Sequence, residues 1–226
     1  TMTAVSESEV IRSRAACLAQ AAASVGSWQI RNCATLGGNL ANASPAADTP
    51  AALAPLDAAA VLVSPGGQRE LPIHDFLTGP GSTALKDGEL IAAFRIPAPE
   101  TRVRLSAFEK LGSRSQVSIA RLNLAASVLL GTSGKKAGVP ASARVFMGTL
   151  GGAARRCPRA EDALIAVLEG AADALEFCGA LAAAVEEAIP GRPTLPYKRS
   201  AAKALGLDLL AQFARLFGAA RKETRR

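Results

Sequence analysis

Residues 30–50 combine glycine with short polar side chains in a way that is typical of a ligand-binding loop. Gly37 and Gly38 are adjacent, and asparagine, threonine, serine and aspartate side chains lie on either side of them. Adjacent glycines allow a ligand to approach the backbone closely, and short polar side chains supply oriented donors and acceptors. An ionised aspartate accepts hydrogen bonds without donating any, so Asp48 suits ligand hydroxyl groups better than phosphates. The segment therefore predicts a binding loop for a polar ligand; the alternative is a tight loop whose side chains satisfy only each other.

The histidine and the cysteines indicate neither catalytic nor metal chemistry. His74 lies beside Asp75 and is assigned a capping or surface role. The four cysteines are widely spaced without a C-x-x-C pair, so neither an iron–sulfur cluster nor a zinc site is predicted in this chain. No Ser-His-Asp arrangement and no paired carboxylates stand out, which argues against hydrolase chemistry. The sequence therefore predicts no catalytic residue and no metal site.

Length and composition predict a soluble globular protein with one or two domains. Hydrophobic residues make up 49% of the 226 residues and aromatic ones only 4%, so the core must consist mainly of Leu, Val, Ile and Ala. No apolar run reaches about 18 residues, which argues against a transmembrane helix, and the acidic N-terminal stretch does not resemble a signal peptide. These features predict a cytoplasmic protein without a membrane interaction.

The positive charge of the chain is concentrated towards its C-terminal end. The formal net charge is +7, and residues 189–226 contain nine Lys and Arg against two acidic residues, which accounts for the whole excess. Nucleic-acid binding needs base-reading or stacking groups beside such a patch, and the phenylalanines there have the spacing of a helix core. We therefore predict no nucleic-acid binding, and either a solvated helix face or a docking surface for an acidic partner subunit.

Hydrophobic periodicity predicts an α+β fold in two parts. In the first part, Val10, Ile11, Cys17 and Leu18 form the apolar side of one helix, and a second helix has Thr49 as its N-cap. The predicted ranges are helices 7–24 and 49–59 and strands 60–64, 69–73 and 90–96. In the second part, glycine-containing connections favour a three-stranded antiparallel sheet with packed helices. The predicted ranges there are strands 104–110, 122–130 and 143–150 and helices 158–168, 173–189 and 200–217.

The order of residues in the loop resembles a known family. The segment IRNCATLGGNLANASPAADTP is similar to the flavin-binding segment of the FAD subunit or domain of molybdenum hydroxylases, which include xanthine dehydrogenase and carbon monoxide dehydrogenase. The resemblance continues in the stretches at 76–81, 88–91, 108–110 and 119–120. It implies the second half of a FAD-binding domain at 1–100, followed by a flavoprotein C-terminal domain at 101–226.

The resemblance also implies which residues contact FAD. In the family, the TLGGN loop lies along the diphosphate and ribityl region of the cofactor. Ser44 and Asp48 match positions near the ribityl and adenosine hydroxyls, Ile91 matches an apolar residue against the flavin ring, and Lys110 matches a basic residue that reaches the cofactor. The implied cofactor-binding residues are Ala34, Thr35, Gly37, Gly38, Asn39, Ser44, Asp48, Ile91 and Lys110.

The implied function is electron transfer through FAD in a xanthine dehydrogenase-like complex. Electrons released at a molybdopterin centre pass through 2Fe–2S clusters, both carried by partner chains or domains, and FAD delivers them to NAD⁺ or another acceptor. The family's flavin domain normally begins with a further α/β subdomain that wraps the pyrophosphate, and nothing before Ile30 matches it. We therefore expect a partial FAD site, which a separate chain carrying that subdomain would complete, and an oxidoreductase component that is inactive alone.

The sequence leaves two alternative functions open. The first is a structural or assembly subunit of such a complex that does not bind FAD on its own. The second alternative is a fragment of a different class of flavoenzyme. The NASP segment followed by Asp48 argues against this second interpretation.

Overall fold

The computed structural model describes residues 1–99, 102–115, 117–131 and 137–223. The chain begins with three short helices, α1 (Met2–Glu7), α2 (Glu9–Arg14) and α3 (Ala16–Ala23). The prediction of one continuous helix over 7–24 is wrong, because the backbone leaves the helical conformation twice. Ser8 is extended and its hydroxyl accepts a hydrogen bond from the Ile11 N–H as the cap of α2, and Ala15, with φ −145° and ψ 50°, separates α2 from α3. Val10, which is predicted on the apolar side, is 66% exposed, whereas Cys17 and Leu18 are buried as predicted.

The predicted loop at 30–50 is interrupted by helical turns. α4 (Trp28–Cys33) runs into it, α5 (Leu36–Ala41) contains both adjacent glycines, and α6 (Asp48–Leu53) begins at its end. Thr49 does not cap α6, because its hydroxyl donates to Asn39 Oδ1 instead, and Ala47 occupies the N-cap position. The predicted helix at 49–59 is also too long, since a 3₁₀ turn at Ala54–Leu56 precedes the first strand.

A small antiparallel sheet follows these helices. Its central strand β1 (Ala59–Ser64) pairs with β2 (Gly67–Pro72) across a tight turn. The helical turn α7 (Ile73–Phe76) then leads to a hairpin of β3 (Leu77–Gly79) and β4 (Ser82–Thr83). β5 (Leu90–Arg95) returns to the free side of β1, which gives the order β2–β1–β5 and confirms all three strands predicted in this part.

The second sheet is larger and also antiparallel. It consists of β6 (Arg102–Leu111), β7 (Leu122–Gly131), β8 (Pro140–Gly148) and the short β9 (Arg155–Arg156), in that order. The three predicted strands are confirmed, and the two-residue β9 adds an edge strand that the sequence pattern does not show.

Helices cover one face of the second sheet. They are α8 (Pro158–Glu169), α9 (Ala174–Ala188) and α10 (Leu195–Glu223). α10 begins five residues earlier than predicted. Its residues Leu205, Leu209, Phe213 and Phe217 are buried and form an apolar stripe, which confirms the helix-core spacing of the two phenylalanines. These helices and the alternate residues of β7 form the larger hydrophobic core.

A smaller core joins the first part of the chain to the opposite face of the second sheet. It contains Leu18, Leu53 and Phe76 together with Phe108 of β6 and Ala125 of β7, which lie directly opposite each other in the sheet. The α+β class is thus confirmed, and the boundary between domains 1–100 and 101–226 stays a prediction. Within the described residues, no helix combines the length and the apolar composition that a membrane crossing requires.

Candidate functional site

The TLGGN segment forms the first turn of α5. The hydroxyl of Thr35 accepts a hydrogen bond from the Gly38 N–H at 2.9 Å and thereby caps the helix. The amide oxygen of Asn39 accepts from the Thr49 hydroxyl at 2.6 Å. Thr35 and Gly38 are exposed, whereas Asn39 is half-buried. These short side chains therefore support one another locally while one side of the segment faces solvent.

Two of the expected cofactor residues meet where α5 packs on β5. A Cβ atom added to Gly37 would lie 3.7 Å from Ile91 Cβ and 3.8 Å from the Ile91 carbonyl oxygen. These are ordinary van der Waals distances, so a methyl group at position 37 would just contact Ile91 and the two residues are close neighbours. The structure thus brings Gly37 and Ile91 together, as the resemblance implies for residues around one ligand.

The loop after α5 is held by the backbone of distant segments. The Gly81 N–H donates to the Ala43 carbonyl at 2.9 Å, and the Thr149 N–H donates to the Pro45 carbonyl at 3.2 Å. Ser44 lies between these contacts, half-buried, and its hydroxyl accepts from the Ala46 N–H at 3.3 Å. Ser44 is therefore fixed in position, and its hydroxyl stabilises the turn that leads to α6.

Asp48 is buried and surrounded by donors from its own chain. Its side chain accepts from Lys110 Nζ at 2.5 Å, from Asn123 Nδ2 at 2.9 Å and from Ser24 Oγ at 3.3 Å. Burial raises the pKa of the Asp48 carboxyl above its ordinary value, although Lys110, Asn123 and Ser24 each act in the opposite direction. The residue is only 5% exposed. The structure thus pairs Asp48 with Lys110, and both carboxylate oxygens are engaged within the protein.

Lys110 connects this buried cluster to an open cleft. Its ammonium group donates to Asp48 and to the Ser24 carbonyl oxygen at 3.0 Å, and its side chain is 12% exposed. The cleft has a volume of about 930 Å³ and lies between the junction of α3 with α4 and the end of β6. A volume of several hundred Å³ is typical of small-molecule sites. Lys110 is thus placed to contact a molecule in the cleft.

The cleft is polar and partly cationic. Ser24, Trp28, Arg31 and Lys110 are among the residues that line it, and the Arg31 guanidinium lies 5.7 Å from the centre of the Trp28 ring. Among the described residues that line it, Lys110 is the one that the resemblance implies, and residues 34–39 lie outside it. No group of three or more His, Cys, Asp or Glu side chains within the described residues is arranged to hold a metal ion.

Asn123 and Ser24 belong to the cluster but are not among the predicted site residues. Asn123 is 0% exposed, although it lies in a strand whose other residues are mostly apolar. A buried amide must find partners, so an asparagine inside the predicted strand 122–130 is a signal that sequence reasoning can use. Ser24 gives no comparable signal, because a serine at the end of a helix is common on protein surfaces.

Comparisons with known proteins find a family model and several relatives that resemble this chain. The family model described as the FAD binding domain in molybdopterin dehydrogenase matches residues 1–99. The nicotinate dehydrogenase FAD-subunit of Eubacterium barkeri is 39% identical over 122 residues, which is 53% of this chain and 41% of that protein. The carbon monoxide dehydrogenase medium chain of Afipia carboxidovorans is 45% identical over 73 residues, 32% of this chain and 25% of that protein. The chain thus matches less than half the length of each of these two relatives.

Solved structures show the same fold over most of the chain. Carbon monoxide dehydrogenase from Hydrogenophaga pseudoflava superposes with a TM-score of 0.75 at 25% identity, covering 93% of this chain and 71% of that one. Quinoline 2-oxidoreductase from Pseudomonas putida 86 gives a TM-score of 0.76 at 26% identity, covering 95% and 72%. The family match and these structures lead to one conclusion: residues 1–99 match the FAD binding domain in molybdopterin dehydrogenase, and the chain is similar in sequence and fold to subunits of carbon monoxide dehydrogenase and related enzymes.

Proposed function

We propose that this chain is the FAD-binding electron-transfer component of a molybdenum-containing hydroxylase or dehydrogenase. In this proposal it accepts electrons from iron–sulfur clusters on a partner and passes them through FAD to NAD⁺ or another acceptor. The observation that carries the proposal is the meeting of Asp48 and Lys110, two residues that the family resemblance implies from segments 62 positions apart, beside a cleft of about 930 Å³.

The donors and acceptors of the site fit parts of a flavin nucleotide. The exposed side of α5 presents glycine backbone without Cβ atoms, next to the hydroxyl of Thr35, and a polyhydroxylated or phosphorylated chain needs such close approach. Ile91 offers an apolar surface beside this backbone, and Lys110 offers a positive charge at the cleft. When bound, FAD supplies the redox chemistry, and these residues bind and orient it.

The partner subunits belong to the same proposal. Relatives are named as a medium chain and as a subunit of a dehydrogenase complex, which supports a place in a multi-subunit assembly. We propose molybdopterin-binding and iron–sulfur subunits as partners.

A second candidate is an assembly subunit that keeps the fold without FAD. The observation that favours it is the way in which site side chains satisfy each other: Thr35 with Gly38, Asn39 with Thr49, and Asp48 with Lys110. The flavin measurement described in the next paragraph decides between the FAD-binding component and the assembly subunit.

The deciding experiment measures flavin by visible absorbance after purification. The chain is prepared alone and after co-expression with the polypeptide encoded immediately upstream and the candidate partner subunits. Flavin in the complex, at about one per chain, is the expected result. Flavin in the isolated chain as well would mean that the described residues suffice without a partner. Flavin in neither preparation would contradict the proposal and favour the assembly subunit.

A further inference from the structure

Strand β7 carries a buried amide whose orientation is fixed from two sides. Asn123 Nδ2 donates to Asp48 Oδ1 at 2.9 Å and to the Ala47 carbonyl oxygen at 3.3 Å, and Asn123 Oδ1 accepts from the Gly148 N–H at 3.0 Å. A reversed amide would direct its oxygen at a carboxylate and its N–H₂ group at another N–H donor. The bonding partners therefore allow a single orientation of this side chain.

The strand register places Asn123 next to Lys110. Across the second sheet, Lys110 of β6, Asn123 of β7 and Gly148 of β8 lie directly opposite one another in one row. A Cβ atom added to Gly148 would lie 2.1 Å from Asn123 Oδ1, so a glycine is needed for the amide to occupy its position. Lys110 and Gly148 thus flank Asn123 on the two neighbouring strands. The Asn123 side chain lies on the face of the sheet that packs against the first part of the chain.

The two oxygens of Asp48 are held by different partners. Asn123 holds Oδ1, whereas Lys110 and Ser24 hold Oδ2. Because Oδ1 is fixed by the amide, the carboxylate cannot rotate away and Oδ2 stays directed at the ammonium group. Without the amide, burial would act on Asp48 with one opposing donor fewer, which favours its neutral form and weakens its attraction for Lys110.

The ammonium group of Lys110 retains capacity for a further acceptor. An ammonium has three N–H donors, and within the described residues two are used, by Asp48 and by the Ser24 carbonyl oxygen. Because Lys110 also borders the cleft, the remaining donor is available to a molecule bound there.

We infer that Asn123 is a positioning residue of the site: it fixes the Asp48 carboxylate, which holds the Lys110 ammonium at the edge of the cleft for an acceptor atom of the bound flavin nucleotide. The inference rests on the proposed function for the identity of the ligand, and on the described contacts for the arrangement of the three side chains. It gives Asp48 a role that acts through Lys110, in addition to the predicted contact with the cofactor.

The first test needs no cofactor. The chain is treated with a limiting amount of acetic anhydride at pH 8, and modification of each lysine is measured by mass spectrometry, with the exposed Lys203 as an internal reference. In Asn123→Ala, we expect modification of Lys110 relative to Lys203 to rise several-fold above wild type. Unchanged modification of Lys110 would overturn the inference. If circular dichroism shows that this variant does not fold, Asn123→Ser, which is smaller than asparagine but keeps a polar group, replaces it.

A matched control comes from the same strand and the same face. Ser127 is buried and its hydroxyl donates to the Pro55 carbonyl oxygen at 2.6 Å, so Ser127→Ala also removes a hydrogen bond between the two parts of the chain. It leaves Asp48 and Lys110 untouched. We expect Ser127→Ala to match wild type in Lys110 modification; an equal rise in both variants would show general loosening and overturn the inference.

The second test uses the chain in its flavin-containing complex with the partner subunits. Asn123→Asp keeps the acceptor for Gly148 but places a carboxyl group against Asp48. At pH 8 the two carboxylates repel each other, whereas at pH 6 a shared proton restores a donor to Asp48 Oδ1. Among the described residues, the charged groups that meet at this junction are Asp48 of α6 and Lys110 of β6. We therefore expect FAD to dissociate about tenfold faster than from wild type at pH 8, with recovery towards pH 6.

The outcomes separate the inference from the proposed function. FAD dissociation from Asn123→Asp that equals wild type at both pH values would overturn the role of Asn123 while the function stands. Absence of flavin from every wild-type preparation would overturn the function and the flavin acceptor together. The lysine modification would then still decide whether Asn123 holds Asp48 and Lys110 in place.

Discussion

At the scale of single residues, the Asp48–Lys110 ion pair is the most consequential contact of the molecule. Both side chains are largely buried, and they join α6 of the first part to β6 of the second. A buried ion pair is weak support for stability in itself, but removal of one partner leaves an uncompensated charge. The pair is therefore sensitive to single substitutions and tolerant of a concerted replacement.

We expect Asp48→Ala to lower the free energy of unfolding by about 3 kcal/mol, because the Lys110 ammonium then remains buried without its counter-charge. The double variant Asp48→Ala with Lys110→Met should recover much of this loss. Urea denaturation of wild type, both single variants and the double variant measures the coupling. Effects that simply add would mean that the two side chains do not depend on each other.

Substitution of Gly37 should affect ligand binding and stability in opposite directions. The position has room for a methyl group, so Gly37→Ala should fold normally and gain up to about 1 kcal/mol from its helical backbone. In the proposal, FAD approaches the backbone between Gly37 and Ile91, so the added methyl group should lower the flavin content of the complex. Gly179→Ala in α9 is the matched control, because a Cβ atom there meets nothing within 4 Å. Equal flavin content in the two variants would argue against close approach at α5.

At the scale of elements, an ion pair fixes the strand that carries Ile91. Arg69 on β2 donates to both carboxylate oxygens of Glu89 at 2.7 and 2.8 Å, and to the Ala84 carbonyl oxygen at 2.8 Å. The Lys86 N–H also donates to Glu89 at 2.8 Å. The turn before β5 is thus tied to the opposite edge strand of the small sheet, which sets where β5 begins.

This contact makes a specific contribution to stability against acid. The hydrogen bond from Arg69 lowers the pKa of Glu89 from 4.5 to about 2. Because the pKa is lower in the folded state, the contribution is complete above pH 4.5 and is lost as the pH falls towards 2. Glu89→Gln should therefore melt at a lower temperature than wild type at pH 7, and the difference should vanish near pH 2. Thermal unfolding across this pH range measures it; a constant difference would contradict the predicted titration.

The sequence predicts the elements better than their ends and their mutual contacts. Strand alternation and the apolar stripe at Leu205 and Phe213 reflect burial along one element, so they are visible in the pattern. The break at Ser8 and the loss of Thr49 as a cap depend on which partner each hydroxyl finds, and a pattern does not contain that information. The contact of Asp48 with Asn123 depends on how α6 packs against β7, so the resemblance implies the loop but not the residues that hold it in place.

At the scale of the whole molecule, each face of the second sheet belongs to a different hydrophobic core. Alternate residues of β7 face the helices, whereas Ala125, and Phe108 opposite it on β6, pack against the first part. The family match ends at residue 99, yet the core of that segment includes residues beyond it. We therefore expect the two parts to unfold together.

Phe108 offers a test of this coupling. It is 5% exposed, so Phe108→Ala should lower the free energy of unfolding by about 3–5 kcal/mol through lost burial and a residual cavity. Fluorescence of Trp28, the single tryptophan, reports on the first part, and far-ultraviolet circular dichroism reports on the whole chain. Both signals should change in one coincident transition. Leu175→Ala, at an exposed helix position, should have little effect, and two separate transitions would show independent domains.

Because Asn123 follows Asp48 by 75 residues, the contact between them forms late during synthesis of the chain. Asp48 leaves the ribosome 75 residues before the amide that fixes it, and Lys110 also follows late. During that interval the nascent chain contains the binding segment, but its carboxylate has neither its cation nor its amide. Since domains generally fold as units during synthesis, the site is completed only when β7 has emerged. Translation that stops earlier yields a polypeptide with the candidate binding segment but without the contacts that hold Asp48 in place.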